Sequence, residues 1–304
     1  MSRPSVPLRI LLVVPEPVFQ PQSEAPEKGY WCPPRGQATD FLGFLASDLH
    51  HLGVDVHVVQ PEFRQVFRRH TLEAAAMACC DLPADRVHLT RDRVFYYSPG
   101  PARSDPGENL RVAAAFQREV MHHAIPEVQP SLIHAVNWMS GLIPAHAAQG
   151  GIPCLFTLTS PATARVPLWW VEDMGIDAAW FWQRLFFDRL PGSYEETRVS
   201  RAVDLLLSGV SAAAHVNAVS LPGWTAQGAK HRTPGLAQVI AHKEAAGSVS
   251  WLRREAIHTQ HYIDLYERLL RAPVFRPAQT PAASLFPAPR PVQERAPARR
   301  PAAA

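Results

Sequence analysis

Cysteine is scarce in this chain. The four present (Cys32, Cys79, Cys80 and Cys154) show no paired metal-binding spacing. Adjacent Cys79 and Cys80 would bridge each other only under strain, so all four read as thiols of a reducing compartment. Long apolar runs are missing too, and none approaches the length that spans a bilayer. The opening MSRPSVPLRILLVVPEP puts two arginines ahead of an apolar stretch. That stretch, Ile10–Val14, is short and stops at Pro15, which fits a first buried strand better than a signal peptide. The expected location is cytoplasmic, with no membrane partner. Charge of one sign is also lacking: the formal net charge is +3 over 304 residues. Much of that excess comes from Arg276, Arg290, Arg295, Arg299 and Arg300 near the end. A near-neutral folded part excludes a dedicated nucleic-acid surface. Glycine is outnumbered by proline, 16 to 30, and no GxGxxG, GxSxG, P-loop or HExxH occurs. Support is therefore absent for dinucleotide binding, the serine-hydrolase elbow, P-loop phosphate binding and the zinc-protease helix.

What is there alternates between strand and helix. Leu8–Val14 reads as a strand buried on both faces, followed by a Pro-rich loop from Pro15 to Gln37. From Thr39 to Leu52 the apolar residues Phe41, Leu42, Leu45, Leu49 and Leu52 recur at helical spacing, with Gly53 as the C-cap. Val54–Val59 is the next strand, and strand–helix–strand implies a parallel crossover pair. Further along, Arg86–Thr90 and Val94–Ser98 read as two short strands, with a hairpin around Arg91-Asp92-Arg93. Helices are expected at Asn109–Ala124, Trp138–Gln149 and around Arg198–Leu207, and strands at Leu132–Ala135, Pro153–Thr159 and His215–Ser220. Residues 223–249 carry weak signals and read as a connecting loop. Ser250–Arg271 reads as one long helix with Ser250 as its N-cap. Beyond Ala272 the Pro/Ala/Arg composition predicts disorder.

Candidate chemistry is sparse. His258 and His261 lie three apart but have no third ligand at matching spacing, so surface histidines are expected and no metal. The adjacent pairs His50-His51 and His122-His123 point in different directions on a helix. In open parallel sheets ligands bind beyond the carboxyl ends of strands, which singles out the loops after Val14 and after Ala135. The second loop brings an amide and an indole, Asn137 and Trp138, to a helix start. Two readings stand for them: ligand contacts, or an N-cap beside a packing residue. The aromatic run over 168–190 (Trp169, Trp170, Trp180, Phe181, Trp182, Phe186, Phe187) also has two, a carbohydrate-stacking surface or, with better base rates, core filling.

In order, LRILLVVPEPVF, TDFLGFLASDLHHLGVDVHVVQPEF, LIHAVNWMSGLIPAH, PCLFTLTS and AAHVNAVS resemble the N-terminal domain of the bacterial glycogen synthase and plant starch synthase family. HYIDLYERLL resembles that family's last helix, which crosses back onto the first domain. The resemblance covers most of residues 8–222 and the helix near 258–270. It implies half of a two-domain GT-B glycosyltransferase that transfers glucose from ADP-glucose to an α-glucan. The implied fold is α/β: one Rossmann-like domain with a mostly parallel sheet over 1–222, a connecting loop 223–249, a C-terminal crossover helix 250–271 packed back on it, and a disordered tail 272–304.

The departures are specific. The family's Lys-x-Gly-Gly-Leu loop aligns with Pro34-Arg35-Gly36-Gln37-Ala38, which keeps one glycine and loses the lysine; Arg35 or Lys28 would have to act in its place. The family's His-Asp-Trp-His becomes Val136-Asn137-Trp138-Met139, and Phe-Thr-x-His-Asn becomes Phe156-Thr157-Leu158-Thr159-Ser160. The Ser-Arg-x-Glu-Pro-Cys-Gly run of the nucleotide-binding second domain is missing, and 223–249 is far shorter than a domain. What the resemblance implies is a catalytically degenerate domain that binds glucan or a partner in glucan metabolism. The alternatives are a transferase active only with a partner subunit, and a scaffold that uses its tail. Candidate substrate-binding residues are Arg35, Gly36, Asp40, Asn137, Trp138 and Thr159, facing α-glucan or ADP-glucose; a protein partner is also open. No catalytic residue, cofactor or metal is expected.

Overall fold

The computed structural model describes residues 8–15, 40–63, 82–98, 106–220, 235–253 and 259–272. The Pro-rich loop, with Lys28, Arg35 and Gly36, and the segment after Ala272 lie outside the described residues. The first strand, β1 (Arg9–Val13), is followed by α1 (Asp40–His51) and β2 (Asp55–Pro61). β1 and β2 pair in parallel, Ile10 opposite Val56. Gly53 ends the helix turn at φ 80°, a conformation that suits glycine. Then come β3 (Val87–Thr90), α2 (Arg93–Tyr97), α3 (Pro106–Glu119), a π turn (Val120–Ala124), α4 (Ile125–Val128) and β4 (Leu132–Val136). The chain continues through α5 (Ile143–Gln149), β5 (Cys154–Leu158), β6 (Arg165–Pro167), α6 (Leu168–Asp173), α7 (Tyr194–Ser200), β7 (Ala202–Asp204), α8 (Leu205–Ala212) and β8 (His215–Ser220). It closes with α9 (Leu236–Ala245), β9 (Val249–Arg253) and α10 (Thr259–Arg271).

Seven strands form one sheet in the order β3-β2-β1-β4-β5-β8-β9, and every adjacent pair in it is parallel. β6 and β7 make a separate antiparallel pair. Strand order reverses at β1, whose neighbours are β2 and β4. That is the topological switch point of an open α/β sheet. Because parallel crossovers are right-handed, the helices on the two sides of the switch fall on opposite faces. Leu11, Val13 and Ile133 pack in one core with Val112 and Phe116 of α3, Ile143 of α5, Leu206 of α8 and Val239 of α9. On the other face Ile10, Leu12 and Leu132 pack with Leu42, Leu45 and Leu49 of α1 and Tyr262, Leu265 and Tyr266 of α10. The crossovers leave that second face uncovered beyond β4, and α10 closes it.

Several expected elements differ. The expected hairpin strand Val94–Ser98 is helix α2: the Asp92 carboxylate accepts the Val94 N–H at 2.7 Å and starts the turn. β3 pairs in parallel with β2 instead. The helix expected over Trp138–Gln149 splits into a 3₁₀ turn (Trp138–Ser140) and α5. The Ser140 hydroxyl turns back to Val136, and the Leu205 carbonyl presses against Gly141. The helix expected around Arg198–Leu207 is broken by β7, because Asp204 caps α8 by accepting the Leu207 N–H. The connecting loop 223–249 contains α9. The expected long helix from Ser250 begins instead as strand β9, which adds to the open edge of β8, and the helix itself starts at Thr259. The Ser250 hydroxyl pairs with His215 Nε2 at 2.8 Å rather than capping a helix.

Candidate functional site

At the switch point the carboxyl ends of β1 and β4 lie side by side, the place where open parallel sheets bind ligands in a crevice; the loop leaving β4 forms one border. In that loop Asn137 adopts φ 58°, ψ 178°, a backbone region that is essentially glycine's own and costs of order 1–3 kcal/mol elsewhere. Its side chain does not cap the following turn. The carboxamide spans to the end of β5 instead: Nδ2 donates to Thr159 Oγ1 at 2.7 Å, and Oδ1 accepts the Thr159 N–H at 2.9 Å. Both residues are buried. Two loops that leave neighbouring strands are thus clamped together, and the strained peptide is held by a doubly bonded amide. Trp138 packs half-buried against the core beside it.

The structure therefore brings Asn137, Trp138 and Thr159 together. Asp40 stands at the first position of α1, and Arg35 and Gly36 lie outside the described residues. Next along the same edge, buried Glu62 follows β2 and accepts from Arg91 Nε at 2.9 Å. One strand further out, an open cleft of about 640 Å³ is lined by Arg93, Val94, Tyr97, Gly107, Glu108 and Arg111, and does not include Asn137. Among the described residues no group of His, Cys, Asp and Glu is arranged to hold a metal ion. His261 is exposed on α10, and no described helix is long and apolar enough to cross a membrane. Burial pushes the Cys154 thiol far up, so it is an inert packing group.

Two polar clusters escaped the sequence reading. Under α10, His134 of β4 is fully buried, with Nδ1 2.8 Å from the Tyr266 hydroxyl and Nε2 2.7 Å from Thr157 Oγ1. The Tyr262 ring stacks on it at 5.6 Å. Burial pulls His134 down to about 3, so the ring is neutral. The Tyr262 and Tyr266 spacing of four, which places both on one helix face, was the available signal. At the amino end of the sheet, Asp55 takes Arg9 Nε at 2.7 Å and also pairs with Arg86. Arg86 Nη1 lies 2.6 Å from His57 Nε2. A guanidinium only donates, so Nε2 accepts, and His57 Nδ1–H donates to His88 Nε2 at 2.9 Å. His88 Nδ1–H is left facing the Glu127 carboxylate at 3.7 Å. Burial lowers both histidines, which suits a chain of neutral rings.

The solved catalytic domain of starch synthase IV from Arabidopsis thaliana, bound to ADP and acarbose, shares the fold with a TM-score of 0.52 at 14% identity. The match covers 82% of this chain and 52% of that one, so this chain spans about half of that domain. SsfS6, a glycosyltransferase of Streptomyces sp. SF2575, aligns at a TM-score of 0.27 and 15% identity over 55% of this chain and 43% of that one, a likeness too slight to argue from. No curated protein matches the chain. The family profile described as starch synthase catalytic domain matches residues 36–222, more than half of the 304. The chain belongs to the starch synthase catalytic domain family.

Proposed function

We propose that this chain is a starch synthase-family domain without transferase activity of its own, which binds α-glucan in the crevice beyond β1 and β4. The observation that carries the reading is the Asn137–Thr159 clamp with Trp138 next to it in the chain. A fixed carboxamide, a hydroxyl and an indole are the groups that hold sugar hydroxyls and sugar faces, and none of them titrates. General acid–base work needs a titratable side chain within reach of the reacting atoms. Val136 and Met139 stand where the family resemblance puts histidines, and Glu62 is engaged by Arg91. The described residues between Ser220 and Thr259 pack α9 on the core and add β9 to the same sheet, which supports a reading with no second, nucleotide-binding domain in that short stretch. The thiol content supports a cytoplasmic setting for this role.

Calorimetry with maltoheptaose and with ADP-glucose, beside an assay of labelled glucose transfer, tests the reading. Maltoheptaose is expected to bind, ADP-glucose to stay silent and no transfer to occur. Transfer of glucose would overturn the catalytic half of the proposal. Silence toward maltoheptaose would overturn the binding half and turn the search to a protein partner.

A further inference from the structure

The aromatic segment divides in the structure. Phe181, Phe186 and Phe187 are buried, whereas Trp180 leaves 45% of its surface to solvent. That exposed ring is fixed. It meets the His146 ring edge to face, with centroids 4.7 Å apart, and buried Phe181 backs the same histidine at 5.7 Å. The rim of the indole lies over Gly150, where even a Cβ would come within 3.6 Å of it. Polar planar groups stand at its border: Arg184 Nε donates to Gln149 Oε1 at 2.8 Å. Asp177 and His122 are close enough to His146 to bear on its charge. Burial, reinforced by His122, pulls His146 down to about 4, so at neutral pH it stays an uncharged packing partner.

A rigid, half-exposed indole with a carboxamide–guanidinium pair beside it is the chemistry of carbohydrate recognition. The ring takes the C–H face of a sugar, and the planar groups bridge its hydroxyls. Position separates this surface from the crevice. Gln149 and Gly150 lead into the amino end of β5, whereas Asn137 follows the carboxyl end of β4. The two lie about a strand length apart, roughly 15 Å. We infer that Trp180, with the Gln149–Arg184 pair beside it, is a surface platform for an α-glucan chain at the opposite end of the sheet from the crevice. The identity of the sugar rests on the function proposed above. Two sites on one chain retain a branched polymer more strongly than either site retains a short oligosaccharide.

Affinity electrophoresis in glycogen gels, beside calorimetry with maltotriose, tests the platform in Trp180→Ala, Gln149→Ala and the crevice double variant Asn137→Ala/Thr159→Val. Thermal unfolding of each variant checks its fold. Trp180→Ala is expected to weaken glycogen retention at least tenfold while keeping the maltotriose titration, and the exposed Gln149→Ala to move in the same direction by less. Retention unchanged in both would overturn the platform and leave the crevice reading standing. Loss in Trp180→Ala with full retention in the double variant would keep the platform and remove the crevice. A wild-type chain that glycogen does not retard would overturn both.

Discussion

The two faces of the central sheet are built on different chemistry. Beneath α3, α5, α8 and α9 the packing is mainly aliphatic and aromatic, its buried Gln117, Ser208 and Lys243 turned to backbone groups, with close approaches of Leu205 to Gly141 and of the Phe156 ring to Gly209. Beneath α10 the packing has a polar centre, in which His134 bonds to Thr157 and Tyr266 side chain to side chain, with the buried Tyr262 hydroxyl and Asn217 beside them. The first face is closed by crossovers that the chain makes anyway. The second is closed by a distant helix that must find its place. A hydrogen-bonded centre is position-specific in a way that oil-like packing is not, since a slipped helix would leave buried donors unpaired.

The steepest way to break the first face is Gly141→Ala. A Cβ there would come within 2.0 Å of the Leu205 carbonyl oxygen. Both partners are backbone, so no rotamer relieves the clash. A loss of about 3 kcal/mol or more is expected, read as a lower urea midpoint. An unchanged midpoint would mean that the approach of α8 to this turn is looser than the geometry states.

On the second face, Tyr266→Phe removes one hydroxyl and little volume. It leaves His134 Nδ1 buried without its partner, and about 2 kcal/mol should be lost. Amide exchange should localise that loss to α10 and leave α5 and α8 protected. A uniform drop in protection would show that the helix and the sheet open as one unit, and the contrast between the faces would lose its dynamic meaning.

Acid separates the faces more gently. His134 and His215 lie under or beside α10 and are pulled down to about 3 and about 4, in both cases mainly by burial. Lowered folded values mean that the unfolded chain takes up more protons as pH falls below about 6.5. Stability therefore rises with pH through the window from those values up to about 6.5, and is level above it. Between pH 7 and 6 the loss is at most about 1 kcal/mol for His134. His57 and His88, at the amino end of the sheet, shift in the same direction. A melting temperature flat from pH 7 to 5 would contradict the buried, neutral assignment of these rings.

How much of this was legible in the sequence depends on where the determining contact lies. β1, α1 and β2 were, because a continuous apolar run, a 3.6-residue period and a C-cap glycine are local signals. β9 was not. Val249-Ser250-Trp251-Leu252-Arg253 carries a plausible helix start, and it becomes a strand because β8 offers it an open edge. α2 was misread because the Asp92 cap is a side-chain event, and β6 and β7 have three residues each, too few for a pattern. At the crevice, topology pointed to Asn137 and Trp138, and the resemblance added Thr159. The bond pair that joins Asn137 to Thr159 crosses twenty-two positions of sequence, and no local pattern announces it. Within 168–190 the sequence could not divide phenylalanines from tryptophans; burial did so.

The smallest expected effect tests whether the crevice stores strain. Asn137→Gly and Asn137→Ala both delete the two bonds to Thr159, so that loss is common to them. They differ in backbone alone: glycine adopts φ 58°, ψ 178° freely, and alanine does not. Asn137→Gly should therefore be more stable than Asn137→Ala by about 1 kcal/mol, while both lose maltoheptaose affinity to a similar extent. Equal stabilities would mean that the loop relaxes once the amide is gone, and that the Thr159 clamp creates the unusual backbone rather than merely holding it. A glycine variant that keeps full affinity would remove the carboxamide from the site and leave Trp138 to carry the contact.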